Sequence, residues 1–353
     1  MGHPGIIRTR RAAQTPVALA AAIAALAVAA MGCGADGANG RTTSANGTAR
    51  VTGKLVPRRG VLFGVWAGRR DGRTYAQELE LLERRIGRRF DLGRYYYHWD
   101  DAISLPFARR VLGDRIPLIG WVAERRDGTA VPWREISSGR HDAVIAARAD
   151  VLKGYGSKVM LIFHHEPEDD VGRFGTPADY AAAFRHVVSV FRERGATNVV
   201  WVWNLMAWTF NPRAKPGASA YYPGDRYVDW IGADGYNWFG SQHVKGAPWR
   251  SFEDVFGAFY SWGLARRKPL LLAEWGTLED AATPERKARW FSDATKTLKR
   301  WPAIKAISYF NARGWWFDSS DRSLAAYRAM AHDPYFNPSR SQSAVSLKRR
   351  AED

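Results

Sequence analysis

Apolar residues in this chain gather in eight short runs, separated by longer stretches where they recur every three or four positions. The runs read VLFGVW (61–66), GRYYYHW (93–99), PLIGWVA (117–123), KVMLIFHH (158–165), NVVWVWNL (198–205), YVDWIGADGY (227–236), PLLLAEW (269–275) and AISYFNA (306–312). Nearly continuous apolar runs of this length predict strands buried on both faces, as in a parallel sheet. The amphipathic stretches predict helices over 75–88, 140–153, 177–194 and 284–299. Thr176 and Thr283 are the expected N-caps, each followed by a proline suited to the first helical position. Strand alternating with helix eight times predicts a single (β/α)8 barrel over residues 58–335.

The flanks carry no such pattern. Residues 1–33 read as a signal peptide, with Arg8, Arg10 and Arg11 ahead of an alanine-rich apolar stretch from Val17 to Ala30. It ends in AMGC, and Cys33, the only cysteine, stands where a bacterial lipoprotein signal carries its acylated residue. The expected location is therefore extracytoplasmic, secreted or anchored through Cys33 to the outer face of the cell membrane, and the stability of the mature protein owes nothing to a disulfide. Residues 34–57, rich in Gly, Ser, Thr and Asn, read as a flexible linker, and 336–353 as a disordered basic tail.

Composition adds two expectations. Sixteen tryptophans and fourteen tyrosines exceed what a core readily accepts, because buried indole N–H and phenol O–H groups need partners, so many are expected along a cleft. The net charge of +17 attracts polyanions. No nucleic-acid motif accompanies it and the arginines are scattered, as in ERRIGRRF from 83, so the expected partner is an anionic membrane or wall surface and not nucleic acid. Nothing predicts an oligomer; a monomer is expected.

The chemistry comes from two of the runs. VMLIFHHEP (159–167) and PLLLAEWG (269–276) each drive a buried strand into a carboxylate, Glu166 after strand 4 and Glu274 at the end of strand 7. The C-terminal ends of barrel strands are where such folds build active sites. One carboxylic acid and one carboxylate facing each other across the mouth are what hydrolysis of a glycosidic bond with retention requires. Burial and neighbouring groups assign Glu166 as acid/base, and Glu274 as nucleophile, with Tyr236 at the end of strand 6 as a donor to it. His165 is placed to bind sugar or orient Glu166, whereas alternation turns His164 to the other face in a structural role. Trp315, ahead of its neighbour Trp316, is a platform for a pyranose. His98, Trp99, Trp121, Trp203 and Asn204 are further candidates for the cleft, with Asp100, Trp208 and Asp234 behind them. No HExxH or histidine cluster at ligand spacing points to a metal, and double displacement requires no cofactor.

His165-Glu166, the GYN of Gly235–Asn237, the AEWG ending at Gly276 and the phrase YYPGDRYVDWIGADGYNW (221–238) resemble glycoside hydrolase family 26, across the whole expected barrel. The resemblance implies Glu166 as acid/base, Glu274 as nucleophile, and a β-linked polysaccharide as substrate. β-1,4-Mannan is the most frequent substrate it implies, with β-1,3-xylan or mixed-linkage β-glucan as alternatives; a barrel that binds such a polymer without cleaving it is the competing class. The acidic sequence Pro167-Glu168-Asp169-Asp170 departs from the polar, glycine-containing segment that follows the His-Glu pair in many mannanases of that family.

Overall fold

A computed structural model describes residues 53–103 and 111–338. Eight parallel strands close in chain order, β8 pairing with β1: β1 (Leu62–Ala67), β2 (Leu92–Tyr97), β3 (Ile116–Trp121), β4 (Val159–Phe163), β5 (Val199–Met206), β6 (Trp230–Asn237), β7 (Leu270–Thr277) and β8 (Ile304–Asn311). The helices are α1 (Tyr75–Ile86), α2 (Trp133–Ser137), α3 (Asp142–Gly154), α4 (Pro177–Glu193), α5 (Phe252–Ala265), α6 (Arg286–Arg300) and α7 (Asp321–His332). All eight strands of the closed sheet lie within the described residues.

Local signals set the helix starts. Thr176 caps α4 with its side chain on Asp179 N, and Asp179 returns the bond, a reciprocal cap that satisfies two backbone donors. Thr283 does not do the same: α6 begins at Arg286 behind Glu285, and Thr283 offers only its backbone carbonyl, 2.9 Å from Arg286 N. Proline at 284 marks the approach to that helix and not its first turn.

Two cores flank the sheet. The lower barrel interior holds Leu62, Leu92, Leu118, Met160, Val200, Trp230, Leu271 and Ala306, and the larger core lies between the sheet and the helices. Ten of the sixteen tryptophans are buried, most of them in that outer layer, which corrects the expectation that they line a cleft. Several find partners there: Trp203 Nε1 donates to Tyr221 O at 3.1 Å, and Trp290 Nε1 to Arg250 O at 3.1 Å.

Of the expected linker, only residues 53–57 are described, and they are not a tether. Leu55 is buried among the interior leucines, and Trp230 Nε1 donates to Lys54 O at 2.7 Å. Likewise the start of the expected tail, Phe336 and Asn337, is buried, with Arg88 Nη1 donating to Phe336 O at 2.6 Å. The leader, Cys33 and the chain beyond 338 lie outside the described residues.

Candidate active site

Going up the barrel interior from the strand N-termini, the side chains change from apolar to polar. Above the leucine layer sit Arg94 (β2), Asn204 (β5), Asp234 (β6) and Ser308 (β8), all fully buried. Unsolvated polar groups in such a place need partners, and some of these find them within the set, while Ser308 Oγ and Asp234 Oδ1 have no hydrogen-bond partner among the described residues. Asn204 Nδ2 donates to Asp234 Oδ2 at 2.6 Å, and Arg94 Nη2 lies 3.8 Å from the same oxygen. Gly232 leaves the room for this, since a Cβ there would collide with Asn204 Oδ1.

Glu274 is the focus of three donors. Arg94 Nη2 donates to Oε1 at 2.9 Å, Tyr96 OH donates to the same oxygen at 2.6 Å, and Tyr236 OH donates to Oε2. Hydrogen bonds to the charged form of a carboxylate stabilise that form. Strict alternation along β7 would not aim Glu274 here. Leu271 and Ala273 face the interior, so the next residue should face the helices, but the β6–β7 register skips between Ala233/Leu272 and Asp234/Glu274. This bulge leaves Ala273 unpaired with β6 and turns Glu274 inward as well. The freed Ala273 carbonyl accepts from Arg94 Nη1 at 2.7 Å, so one guanidinium holds both the bulge and the carboxylate it redirects.

Glu166 arrives differently. β4 ends at Phe163, and the chain turns through left-handed conformations at His164 (φ 47°) and Glu166 (φ 53°) before a short 3-10 turn over Pro167–Asp170. Non-glycine residues held in that region carry about 1–3 kcal/mol of strain each and persist only where surroundings enforce them. The enforcement is visible. His164 Nδ1 accepts from Ala123 N (3.2 Å) and Trp133 Nε1 (3.3 Å), and its Nε2 meets Asp170 Oδ2 at 2.9 Å. On the other side of the turn, the buried Glu168 carboxyl accepts from Met206 N at 2.9 Å and from Thr209 Oγ1, tying the β4 turn to the end of β5.

Glu166, Asp234 and Glu274 each bring an oxygen within 4.8 Å of the other two. Burial first, then the charges of Glu274 and Asp234, hold the Glu166 carboxyl well above the usual carboxylate range. Asp234 is also raised, by burial and then by Glu274, with Arg94 and Asn204 opposing. Burial pushes Glu168 up to about 8. Three carboxylates so close could in principle ligate a cation, but the Arg94 guanidinium already stands among them and three donors occupy Glu274. The set is better fitted to proton transfer and nucleophilic attack.

The remaining candidates divide. His165 is buried at the mouth with its ring 5.3 Å from Tyr96, and Trp315 packs 4.7 Å from Tyr236, so both adjoin the carboxylates. Asn204 reaches the cluster through Asp234. Trp121 and Trp203 do not line the cleft: odd positions of β3 and β5 face the helices, where Trp121 stacks on Trp99 (4.5 Å) and Trp203 packs on Trp262 (5.4 Å). Trp99 belongs to that same outer stack. His98 stands on the mouth face, its N–H donating to Asp101 Oδ2 at 2.7 Å and its Nδ1 3.3 Å from Glu124 O. Asp100 accepts from Arg126 N, and Trp208 is exposed on the turn after β5. Arg94 and Tyr96 escaped the sequence reading. The signal was there, since 92, 94 and 96 share one face of β2 and an arginine on a buried face demands an acidic partner.

Comparison with known proteins points to one family of enzymes. The family model described as Glycosyl hydrolase family 26 matches residues 143–270. Endoglucanase H of Acetivibrio thermocellus is 32% identical over 290 residues, which cover 76% of this chain and 30% of that protein. Beta-1,3-xylanase TXYA of a Vibrio species is 24% identical over 238 residues, covering 62% of this chain and 47% of that one. The chain thus spans less than half the length of either curated relative. Among solved structures, the GH26 β-mannanase BoMan26A of Bacteroides ovatus superposes with a TM-score of 0.58 at 15% identity, over 80% of this chain and 91% of that one, a likeness of fold.

Proposed function

The chain belongs to glycosyl hydrolase family 26, and on that premise we propose that it is a retaining endo-β-glycosidase with Glu274 as nucleophile and Glu166 as acid/base. The observation that carries the reading is the approach of their oxygens to within 4.8 Å. Retaining enzymes keep their carboxyl groups about 5–5.5 Å apart, whereas inverting ones need about 6.5–9.5 Å to admit a water. In the first step Glu274 attacks the anomeric carbon while Glu166 gives its proton to the departing glycosidic oxygen. In the second, Glu166 takes a proton from water, whose oxygen displaces Glu274 from the anomeric carbon and restores both groups. Tyr236, Tyr96 and Arg94 hold Glu274 in line for both steps.

The substrate implied by the sequence resemblance is β-1,4-mannan. A β-glucan is the second reading, favoured by the identity shared with a relative named Endoglucanase H. The enzyme acts outside the cytoplasm, secreted or held at the membrane by an acyl chain on Cys33.

Hydrolysis of β-mannan, mixed-linkage β-glucan and β-1,3-xylan by the chain from Arg50 onward, beside Glu166→Gln and Glu274→Gln, tests the reading and identifies the substrate. Loss of general acid help should lower the rate of Glu166→Gln by about 10²–10⁴-fold. Glu274→Gln should release no product, and proton NMR of the first product should show the β-anomer. Undiminished turnover in Glu274→Gln, or an α-anomer, refutes it.

A further inference from the structure

The charge of this barrel is unevenly divided between its two ends. The segments before the strands, on the face opposite the carboxylates, are 53–61, 87–91, 113–115, 155–158, 194–198, 225–229, 266–269, 301–303 and 333–338. They carry twelve lysines and arginines against five acidic residues. The loops of the mouth face (68–74, 98–103, 122–132, 138–141, 164–176, 207–224, 238–251, 278–285 and 312–320) carry twelve against thirteen. Helix ends add to the first face, with Arg84 in the last turn of α1, Lys153 in α3 and Arg192 in α4, whereas Arg85, Lys299 and Arg300 are paired with Asp318, Asp333 and Glu253. Cations at helix C-termini complement the macrodipole and need no ligand. Within the interstrand segments Lys54, Arg88, Arg89, Arg115 and Arg194 are ion-paired, but Arg58, Arg59, Arg267 and the adjoining Lys305 have no ion-pair partner among the described residues.

The excess is also arranged. Between the 53–57 segment, the end of α5 and the start of β8 lies a shallow cleft of about 250 Å³ lined by Val56, Leu264, Arg267, Lys268, Ala303 and Lys305. Leu264 is 52% exposed at its edge. Cations around an exposed apolar side chain suit a surface that is anionic outside and apolar beneath. The chain also enters the barrel on this face, where Lys54 and Leu55 are seated, and Cys33 precedes Gly53 by twenty residues, a span of at most about 70 Å.

We infer that this basic face docks on an anionic phospholipid bilayer, which directs the carboxylate mouth away from the membrane toward polymer in solution. The inference extends the extracytoplasmic reading above, and its test requires neither acylation nor catalysis. Residues 50–338, which omit both Cys33 and the basic tail, are sedimented with vesicles of phosphatidylglycerol and phosphatidylcholine (1:1) and with pure phosphatidylcholine vesicles. Two triple variants change the charge equally: Arg58→Glu/Arg59→Glu/Arg267→Glu on the basic face, and Arg213→Glu/Lys245→Glu/Arg313→Glu on the mouth face. Thermal melting checks that each is folded.

Binding should require phosphatidylglycerol, weaken as salt is raised, and fall at least about a hundredfold in the basic-face variant, since each basic side chain near an anionic leaflet contributes roughly fivefold. The mouth-face variant should bind within a few-fold of the parent. Equal loss in both variants would mean that net charge and not this face is responsible. No binding to the anionic vesicles, or binding only to soluble polyphosphate, would overturn the inference outright.

Discussion

Three carboxyl groups and one guanidinium share the upper barrel interior, and their roles follow from how each is surrounded. Arg94 and two phenols converge on Glu274. Glu166 has burial and four acidic neighbours, Glu274 and Asp234 foremost, which favour its protonated form. A carboxyl held in its protonated form is what general acid catalysis needs. Asp234, itself raised by burial and by Glu274, adds to the rise of Glu166 where it is ionised. In its proposed role as acid Glu166 must carry a proton, so activity should decline as pH rises through its raised pKa. Removing the Asp234 charge lowers that pKa. In Asp234→Asn the alkaline limb of kcat/KM should therefore move to lower pH, while a limb that stays in place or moves up would show that Asp234 does not act on Glu166.

Among the elements, two irregularities bring the pair together. The bulge in β7 shifts the side-chain phase by one, and the left-handed turn after β4 carries Glu166 beyond the end of the sheet. Glu168 is the contact between that turn and the 3-10 turn (Ala207–Phe210) that bears the exposed Trp208. Its pKa, pushed up to about 8 by burial, links this contact to stability. A carboxyl raised in the folded state stabilises fully below its unfolded value, near about 4.3, and that stability is lost as pH rises through the folded value. The parent melting temperature should therefore fall relative to Glu168→Gln between pH 4.5 and pH 8, and parallel melting curves across that range would remove Glu168 from the account. His164 and its bonds to Trp133 and Asp170 hold the other flank of the same turn.

At the scale of the molecule the barrel has two unlike ends, an apolar floor closed by Leu55 and a polar mouth holding the carboxylates. Leu55 comes from outside the strands, so its truncation tests whether the segment before β1 is structural. Leu55→Ala should cost about 2–5 kcal/mol in urea unfolding and leave KM unchanged, because the floor is far along the barrel axis from the mouth. A change below about 0.5 kcal/mol would return residues 53–57 to the role of linker. The fold class, the strand order and the two glutamates were all determined by the sequence alone. Continuous apolar runs specify strands buried on both faces, and a carboxylate late in such a run lies toward the strand's C-terminal end, where barrels build their sites. Tertiary structure decided the rest. Whether a tryptophan on β3 or β5 faces sugar or helix depends on the phase of alternation, which for Trp121 and Trp203 was set by the helices packed outside them. The inward turn of Glu274 depends on a register skip between two strands, and its partners Arg94, Tyr96 and Tyr236 come from β2 and β6. Those contacts join residues far apart in the chain, and they exist only once the sheet has closed.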